Sequence, residues 1–418
     1  MNNRSPVVVG VLDGDLCSGC GLCAGISGGA IVMRSQAPGF AWPVQLRPIS
    51  LGTEARIAGG CPGRVVTPWS RTGERHPYWG PWLETLTGAA SDPEVRFAGA
   101  SGGALSALLI HALDSGLVDR VLHVEADPER PTGNRLCWSR DRAQVLAGAG
   151  SRYAASSPLS AIDEALGEGG RFAFVGKPCD VSALRQLARY DARVTAHVPI
   201  MLSFFCGGLP SEDGAREVIR AMALNPEEVT DFRYRGQGWP GRTVAETMDG
   251  RRGEMSYADS WGAHLSRTVQ FRCKICPDAV GGAADIACAD AWYGDASGYP
   301  LFEEQDGRSL IITRTSAGQA LLRSAQAALV IDTAALAIAE VERMQPAQAQ
   351  RKRMIAARTA GVRAALQPVP RMHGLDVAWA ARGARLYDIG HNLLGTMRRV
   401  WQRRWRSRRA PMLARCER

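Results

Sequence analysis

Cys17, Cys20 and Cys23 stand in one seven-residue run, Cys-Ser-Gly-Cys-Gly-Leu-Cys, and Cys61-Pro62 follows one loop later. Three thiols at C-x2-C-x2-C spacing are the sequence form of an iron–sulfur cluster site: spacers this short let the backbone curl around a cubane with the sulfurs turned inward. A zinc knuckle uses one or two Cys-x2-Cys pairs, not three sulfurs in seven residues. In the compact bacterial ferredoxin run a further Cys-Pro comes next, but here that position is Ser27, followed by Gly28. The fourth sulfur has to come from elsewhere, and Cys61 is the candidate. The pattern reads as a redox protein.

A second group of thiols is dispersed. Cys179 lies in Gly-Lys-Pro-Cys-Asp just after an apolar segment, Cys206 ends Leu-Ser-Phe-Phe-Cys, and Cys273 and Cys276 form Arg-Cys-Lys-Ile-Cys-Pro-Asp. Two strand-end cysteines and one Cys-x2-Cys pair converge if the strands are parallel, because the carboxyl ends of parallel strands share one edge of a sheet. Spacing alone leaves three readings of this group open: a second cluster, a four-sulfur zinc site, and buried free thiols. Cys137, Cys288 and Cys416 receive no ligand role, and Cys288, in Ala-Cys-Ala, reads as core.

Ser101-Gly102-Gly103 precedes a helical pattern. A glycine turn at a helix N-terminus suits a phosphate, although a plain Ser cap explains the same residues. Gly236-x-Gly238-x-x-Gly241 matches the dinucleotide fingerprint only formally, since Trp239-Pro240 fills the turn and Thr243–Thr247 reads as strand. The histidines are scattered, no catalytic acid or base stands out, and Asp285, Asp290 and Asp295 read as solvated loop carboxylates.

The elements that must position these residues follow from pattern. Residues 1–80, rich in Gly and Pro, read as a small N-terminal iron–sulfur domain of short strands and loops, ferredoxin-like in character. His76–Trp82 reads as a stiff connector, since proline fixes φ and disfavours helix before it. Residues 81–365 read as an α/β core on a mixed or parallel sheet. Helices are expected over 105–115, 158–166 and 181–190, strands over 121–124 and 172–175, and helix through the Ala-rich 317–366.

The chain has 418 residues, of which 45% are hydrophobic and 22% charged, with a formal net charge of +9 and 11 cysteines. That composition is ordinary for a globular protein, and so many thiols without an export signal point to a reducing, cytoplasmic setting. No apolar stretch is long enough to span a bilayer. Residues 366–418 read as a basic helical tail, in which Trp379, Leu386, Leu393, Leu394, Val400, Trp401 and Trp405 recur at helical intervals among seven late arginines. Such a segment suits the anionic inner face of a membrane, or else a solvated end. No helix-turn-helix or aromatic RNA motif accompanies the arginines, so nucleic acid is not expected.

Ala100–Leu109, Gly150-Ser151-Arg152-Tyr153, Gly176-Lys177-Pro178-Cys179-Asp180, Cys273–Asp278 and Ala284–Ala287 together resemble the coenzyme F420 hydrogenase/dehydrogenase beta-subunit family. The similarity covers roughly residues 10–330. It implies FAD and two [4Fe-4S] clusters, held by Cys17, Cys20, Cys23 and Cys61 and by Cys179, Cys206, Cys273 and Cys276. It also makes Ser101, Gly102 and Gly103 a flavin-phosphate loop, and Ser151, Arg152, Tyr153, Gly176, Lys177 and Pro178 flavin contacts. The partners it implies are ferredoxin or another oxidoreductase subunit and a small-molecule acceptor, such as a deazaflavin or another conjugated compound. This chain departs from the family's pattern at Gly281-Gly282, where relatives often carry a Gly-Glu.

Overall fold

The computed structural model describes residues 4–69, 73–294, 301 and 303–416, with side chains as far as residue 404. Its centre is an eight-stranded mixed sheet. In chain order the strands are β1 (Glu84–Ala90), β2 (Arg120–Asp127), β3 (Arg130–Ser139), β4 (Phe172–Val175), β5 (Ile200–Phe204), β6 (Ile286–Asp290), β7 (Ser309–Thr313) and β8 (Ile331–Ala335). Across the sheet they run β8-β1-β7-β6-β5-β4-β2-β3. The middle four, β2, β4, β5 and β6, pair in parallel. The flanks are antiparallel.

The parallel strands are buried on both faces, which is why Phe-Ala-Phe-Val carries no polar alternation. Phe172 and Phe174 pack into one core, with Leu122, Met201 and the N-terminal residues. Ala173 and Val175 face the other, with Val121, Ile200, Leu202 and Ile286. A three-stranded antiparallel sheet (Val229–Arg233, Thr243–Thr247, Arg252–Met255) packs separately, with Ala215, Val218 and Ile219 of helix Glu212–Ala221 in its core.

Several expectations need correction. The N-terminal segment contains real helices: Pro6–Asp13, Leu22–Gly25 and Leu51–Gly60. Val7, Val8 and Val9 favour strand, but Ser5 accepts a hydrogen bond from the Val8 N–H and Pro6 sits at the first helical position, so capping fixes a helix here. Residue 80 is not a packing boundary, because Val8, Leu22 and Ile57 share a core with Leu159, Phe174, Leu184, Val362 and Val400. The stiff connector is a hairpin (Glu74–His76 with Gly80–Trp82) that buries Trp79 against Phe205 at 5.9 Å between ring centres. The Ala-rich stretch is broken by β8, which completes the sheet beside β1.

The tail is docked. Helix Leu386–Cys416 lies along helix Ile355–Ala364, Thr396 and Val400 are buried, Arg403 pairs with Asp15, and its guanidinium lies 4.0 Å over the Phe271 ring. Leu386, Tyr387, Leu394 and Trp401 remain exposed.

Candidate functional site

The first cysteine run folds because glycine stands between its thiols. Gly19 and Gly21 have φ of +73° and +85°. A β-carbon on Gly21 would also lie 2.9 Å from the Ser160 nitrogen, so the loop is seated directly on the chain before helix Ile162–Gly167. Ser157 Oγ donates to the Gly19 carbonyl at 2.9 Å and the Leu159 N–H to the Cys20 carbonyl at 3.0 Å. Cys61 follows helix Leu51–Gly60 directly and turns its end toward the loop. Cys17, Cys20, Cys23 and Cys61 line one cavity, walled by Val8, Val11, Leu22, Met33, Pro43 and Ile57. Burial pushes Cys17 up to about 12 and raises Cys20 and Cys23 as well, with neighbouring thiols adding to the effect. Four neutral thiols in an apolar pocket are what a cluster site holds before its metal displaces the protons.

The second group assembles at the carboxyl edge of the parallel strands. Cys179 is the second residue of helix Pro178–Leu187, which begins just beyond β4, and Cys206 lies just past β5. Cys273 belongs to helix Phe271–Lys274, and its sulfur accepts from the Leu209 N–H and from Gln270 Nε2, both at 3.4 Å. Cys276 follows that helix. Burial raises Cys179 and takes Cys206 to about 12. Asp180, Cys206 and Cys273 raise Cys179 further, and Cys273 and Cys276 do the same for Cys206. Among the described residues no three His, Cys, Asp or Glu side chains group as ligands of one metal ion.

Cations surround this group. Lys177 Nζ donates to Asp180 Oδ2 at 2.8 Å and to Ser156 Oγ at 3.0 Å. Arg351 donates to the carbonyls of Cys206 and Cys273 at 2.9 and 2.7 Å, and Lys352 Nζ to the Pro277 carbonyl at 2.5 Å. Arg272 donates to the Pro62 carbonyl at 2.9 Å. None of Arg272, Arg351 and Lys352 forms an ion pair with a described carboxylate. Buried cations facing thiols and carbonyls fit an anionic centre, since burying a charge without a partner is costly. A four-thiolate cluster is such a centre. Lys177 is marked by the family resemblance alone, Arg272 only by standing next to Cys273, and no signal in the sequence singles out Arg351 or Lys352.

Several of the residues expected to touch flavin lie along the sheet, held by the chain's own contacts. Ser101 Oγ lies 2.6 Å from Ser309 Oγ, and the Gly102 N–H donates to both hydroxyls. A β-carbon on Gly102 would meet the Gly88 carbonyl at 2.6 Å, so that glycine is required by the chain's own packing. The donors left for a phosphate belong to helix Ala104–Asp114, which has no side-chain cap. Ser151 bridges to Arg235, which holds Asp290 by two bonds of 2.9 and 2.6 Å, and Trp239 Nε1 donates to the same carboxylate at 2.8 Å.

Asp290 is therefore no solvated loop carboxylate. Asp285 is buried too, accepting from the Met201 N–H at 2.7 Å and from Thr315 Oγ1 at 2.6 Å, while Asp295 lies outside the described residues. Gly176 accepts from Ser203 Oγ, and Pro178 opens the helix that carries Cys179. The Arg152 guanidinium donates to Asn134 Oδ1 and to the carbonyls of Phe232, Pro131 and Gly133, so it braces the chain around β3. Tyr153 packs against Tyr234 and Trp261. Cys288 is core, as its neighbours suggested.

A cleft of about 250 Å³ is lined by residues that include Met33, Asn134, Ser156 and Ser157, and by no cysteine. It is bounded by hairpin Ile31–Gln45 on one side and by β3 and Ala154–Ser157 on the other. Ser156 ties it to Lys177, and Ser157 ties it to the first cysteine loop.

The chain is similar to proteins already known. The family described as "Coenzyme F420 hydrogenase/dehydrogenase, beta subunit" matches it twice, through its amino-terminal part over residues 85–163 and its carboxyl-terminal part over residues 169–338. The coenzyme F420 hydrogenase subunit beta of Methanococcus voltae is 27% identical over 267 residues, 61% of this chain and 85% of that protein. The F420-dependent formate dehydrogenase 1 subunit beta of Methanococcus maripaludis is 28% identical over 230 residues, 53% of this chain and 57% of that one. Rice chloroplastic 7-hydroxymethyl chlorophyll a reductase (Oryza sativa subsp. japonica) is 24% identical over 222 residues, 53% of this chain and 45% of that protein. Among solved structures, a chain of the F420-reducing [NiFe] hydrogenase complex of Methanosarcina barkeri shares the fold with a TM-score of 0.53 and 20% identity, over 69% of this chain and 97% of that one.

Proposed function

Because this chain belongs to the coenzyme F420 hydrogenase/dehydrogenase beta-subunit family, whose members are oxidoreductase subunits, we propose that it is an iron–sulfur flavoprotein that relays electrons between an external partner and a small-molecule acceptor. The observation that supports this reading is the single apolar cavity lined by Cys17, Cys20, Cys23 and Cys61, with Arg272, the residue before Cys273, donating to the Pro62 carbonyl beside it.

Cys17, Cys20, Cys23 and Cys61 would hold one [4Fe-4S] cluster, and Cys179, Cys206, Cys273 and Cys276 the other. FAD would lie along the carboxyl edge of the sheet, with its phosphates toward the uncapped start of helix Ala104–Asp114 and with Ser101, Gly103, Ser151, Gly176 and Lys177 beside it. When bound, clusters supply one-electron steps and flavin converts these to two-electron chemistry. The chain's part is placement. Trp79 and Phe205 keep water from the Cys206 side, Lys177 holds Asp180 and Ser156 in register, and Arg152 stiffens the cleft.

The cleft tied through Ser156 to Lys177 and through Ser157 to the first cysteine loop is the entry proposed for the acceptor, a deazaflavin or another conjugated molecule. Ferredoxin or a larger subunit would dock nearest the first thiol group, and the +9 net charge favours an acidic partner. The exposed face of the last helix, with its arginines, is proposed to rest on an anionic membrane surface. A second reading, that of an electron-transfer subunit with no substrate of its own, is favoured by the structural relative's place in a hydrogenase complex.

Anaerobic purification with iron, sulfide, zinc and flavin analysis tests the proposal. The expected product is brown and releases flavin on denaturation. Cys20→Ser should lose about one cluster's iron and keep FAD. A pale protein holding zinc, or full iron in Cys20→Ser, contradicts the assignment. Reduction of an added deazaflavin separates the enzyme from the pure relay.

A further inference from the structure

We infer that Arg272 is a counter-charge shared by the two thiol groups, a positioning residue that sets the reduction potential of both clusters at once. This rests on the two-cluster reading above. Arg272 stands directly before Cys273 on a four-residue helix, so its backbone belongs to the second group. Its side chain is 2% exposed and reaches into the first group's territory, where the guanidinium donates to the carbonyl of Pro62, the residue after Cys61. Arg272 thus joins the Cys61-Pro62 segment of one group to the backbone that carries Cys273 of the other.

The other cations near the thiols do not reach both groups in this way. Lys177 is paired with Asp180, and Arg351 and Lys352 donate to carbonyls of the second group only. Arg272 forms no ion pair with a described carboxylate, and its Nε has no hydrogen-bond partner. A guanidinium in that position needs negative charge beside it. The thiolate-ligated centres on its two sides supply that charge.

Reduction adds one electron, delivered by the external donor, to a cluster that is already anionic. A fixed cation in a dry setting stabilises the reduced form more than the oxidised one, and burial lengthens its reach. Because Arg272 faces both groups, its removal should disfavour reduction of both.

The test uses full-length protein prepared without oxygen as wild type, Arg272→Gln and Arg272→Lys, with iron and sulfide assays and a reductive titration followed by electron paramagnetic resonance. Cys20→Ser assigns the two signals. With iron retained, Arg272→Gln should lower the one-electron reduction constant of each cluster at least tenfold, a shift of about 59 mV or more to the negative. Arg272→Lys should stay closer to wild type. Full iron with both potentials unchanged overturns the inference, and so does a shift confined to one cluster. If Arg272→Gln does not load, iron in both groups of Arg272→Lys supports the charge requirement, and loss of iron there as well overturns it. Wild-type protein without two clusters' iron refutes the underlying two-cluster reading instead.

Discussion

The His123 imidazole shows how a single buried group reports on the fold. Nε2 lies 2.7 Å from Ser139 Oγ across the β2–β3 pair, and burial lowers its pKa from the usual 6.5. The unfolded chain therefore binds the proton more readily than the native one, and stability falls as pH drops below about 6.5 until the native value is passed. Between pH 7.5 and 5.5 the wild type should lose more thermal stability than His123→Asn, and equal losses in the two would contradict this. Among single residues, the thiols were legible because three sulfurs in seven residues have few other uses. Arg351 and Lys352 were not, because a cation's value depends on what long-range folding sets beside it. The bracing by Arg152 was hidden for a related reason: its acceptors are mostly backbone carbonyls, which leave no mark in sequence.

The short elements around the first thiol group depend on close backbone contact. Helix Leu22–Gly25 ends on a glycine whose added β-carbon would lie 2.0 Å from the Leu159 carbonyl. Gly25→Ala should therefore lift the cysteine loop off its seat, costing about 1–3 kcal/mol of stability and the first group's iron while sparing the second's. Chemical unfolding and iron analysis check this, and wild-type values for both would show that the seat is dispensable. Of the elements, the buried strand Phe172–Val175 and the helix after Gly103 could be read from pattern. Helix Pro6–Asp13 could not, because Ser5-Pro6 capping overrode a run of valines. Strand β8 was hidden because an Ala-rich segment fits either state until a neighbouring strand presents its edge.

For the molecule as a whole, the last helix does two things with two faces. The buried side, through Thr396 and Val400, closes over Ile355–Ala364 and Phe271. The exposed Leu386, Tyr387, Leu394 and Trp401 fall within an arc of about 100° at 3.6 residues per turn. Among the described residues no helix is long and apolar enough to cross a membrane. Deleting 405–418 should leave melting temperature and iron unchanged but reduce co-sedimentation with anionic vesicles. Deleting 386–418 should in addition destabilise the protein, by about 1.5–3 kcal/mol for the Val400 contact alone. Unchanged vesicle binding after either deletion would remove the membrane from the picture. The basic, amphipathic character of this segment was evident in sequence, but its docking was not, since much of the face it covers is built from residues far away along the chain.

Val400 and Cys20 belong to one hydrophobic core. The lining of the first thiol pocket comes from residues 8–61, but the core packed behind that lining includes Leu159, Phe174, Leu184, Val362 and Val400. A fragment expressed from that end alone would keep the residues that line the pocket and lose the packing that backs them.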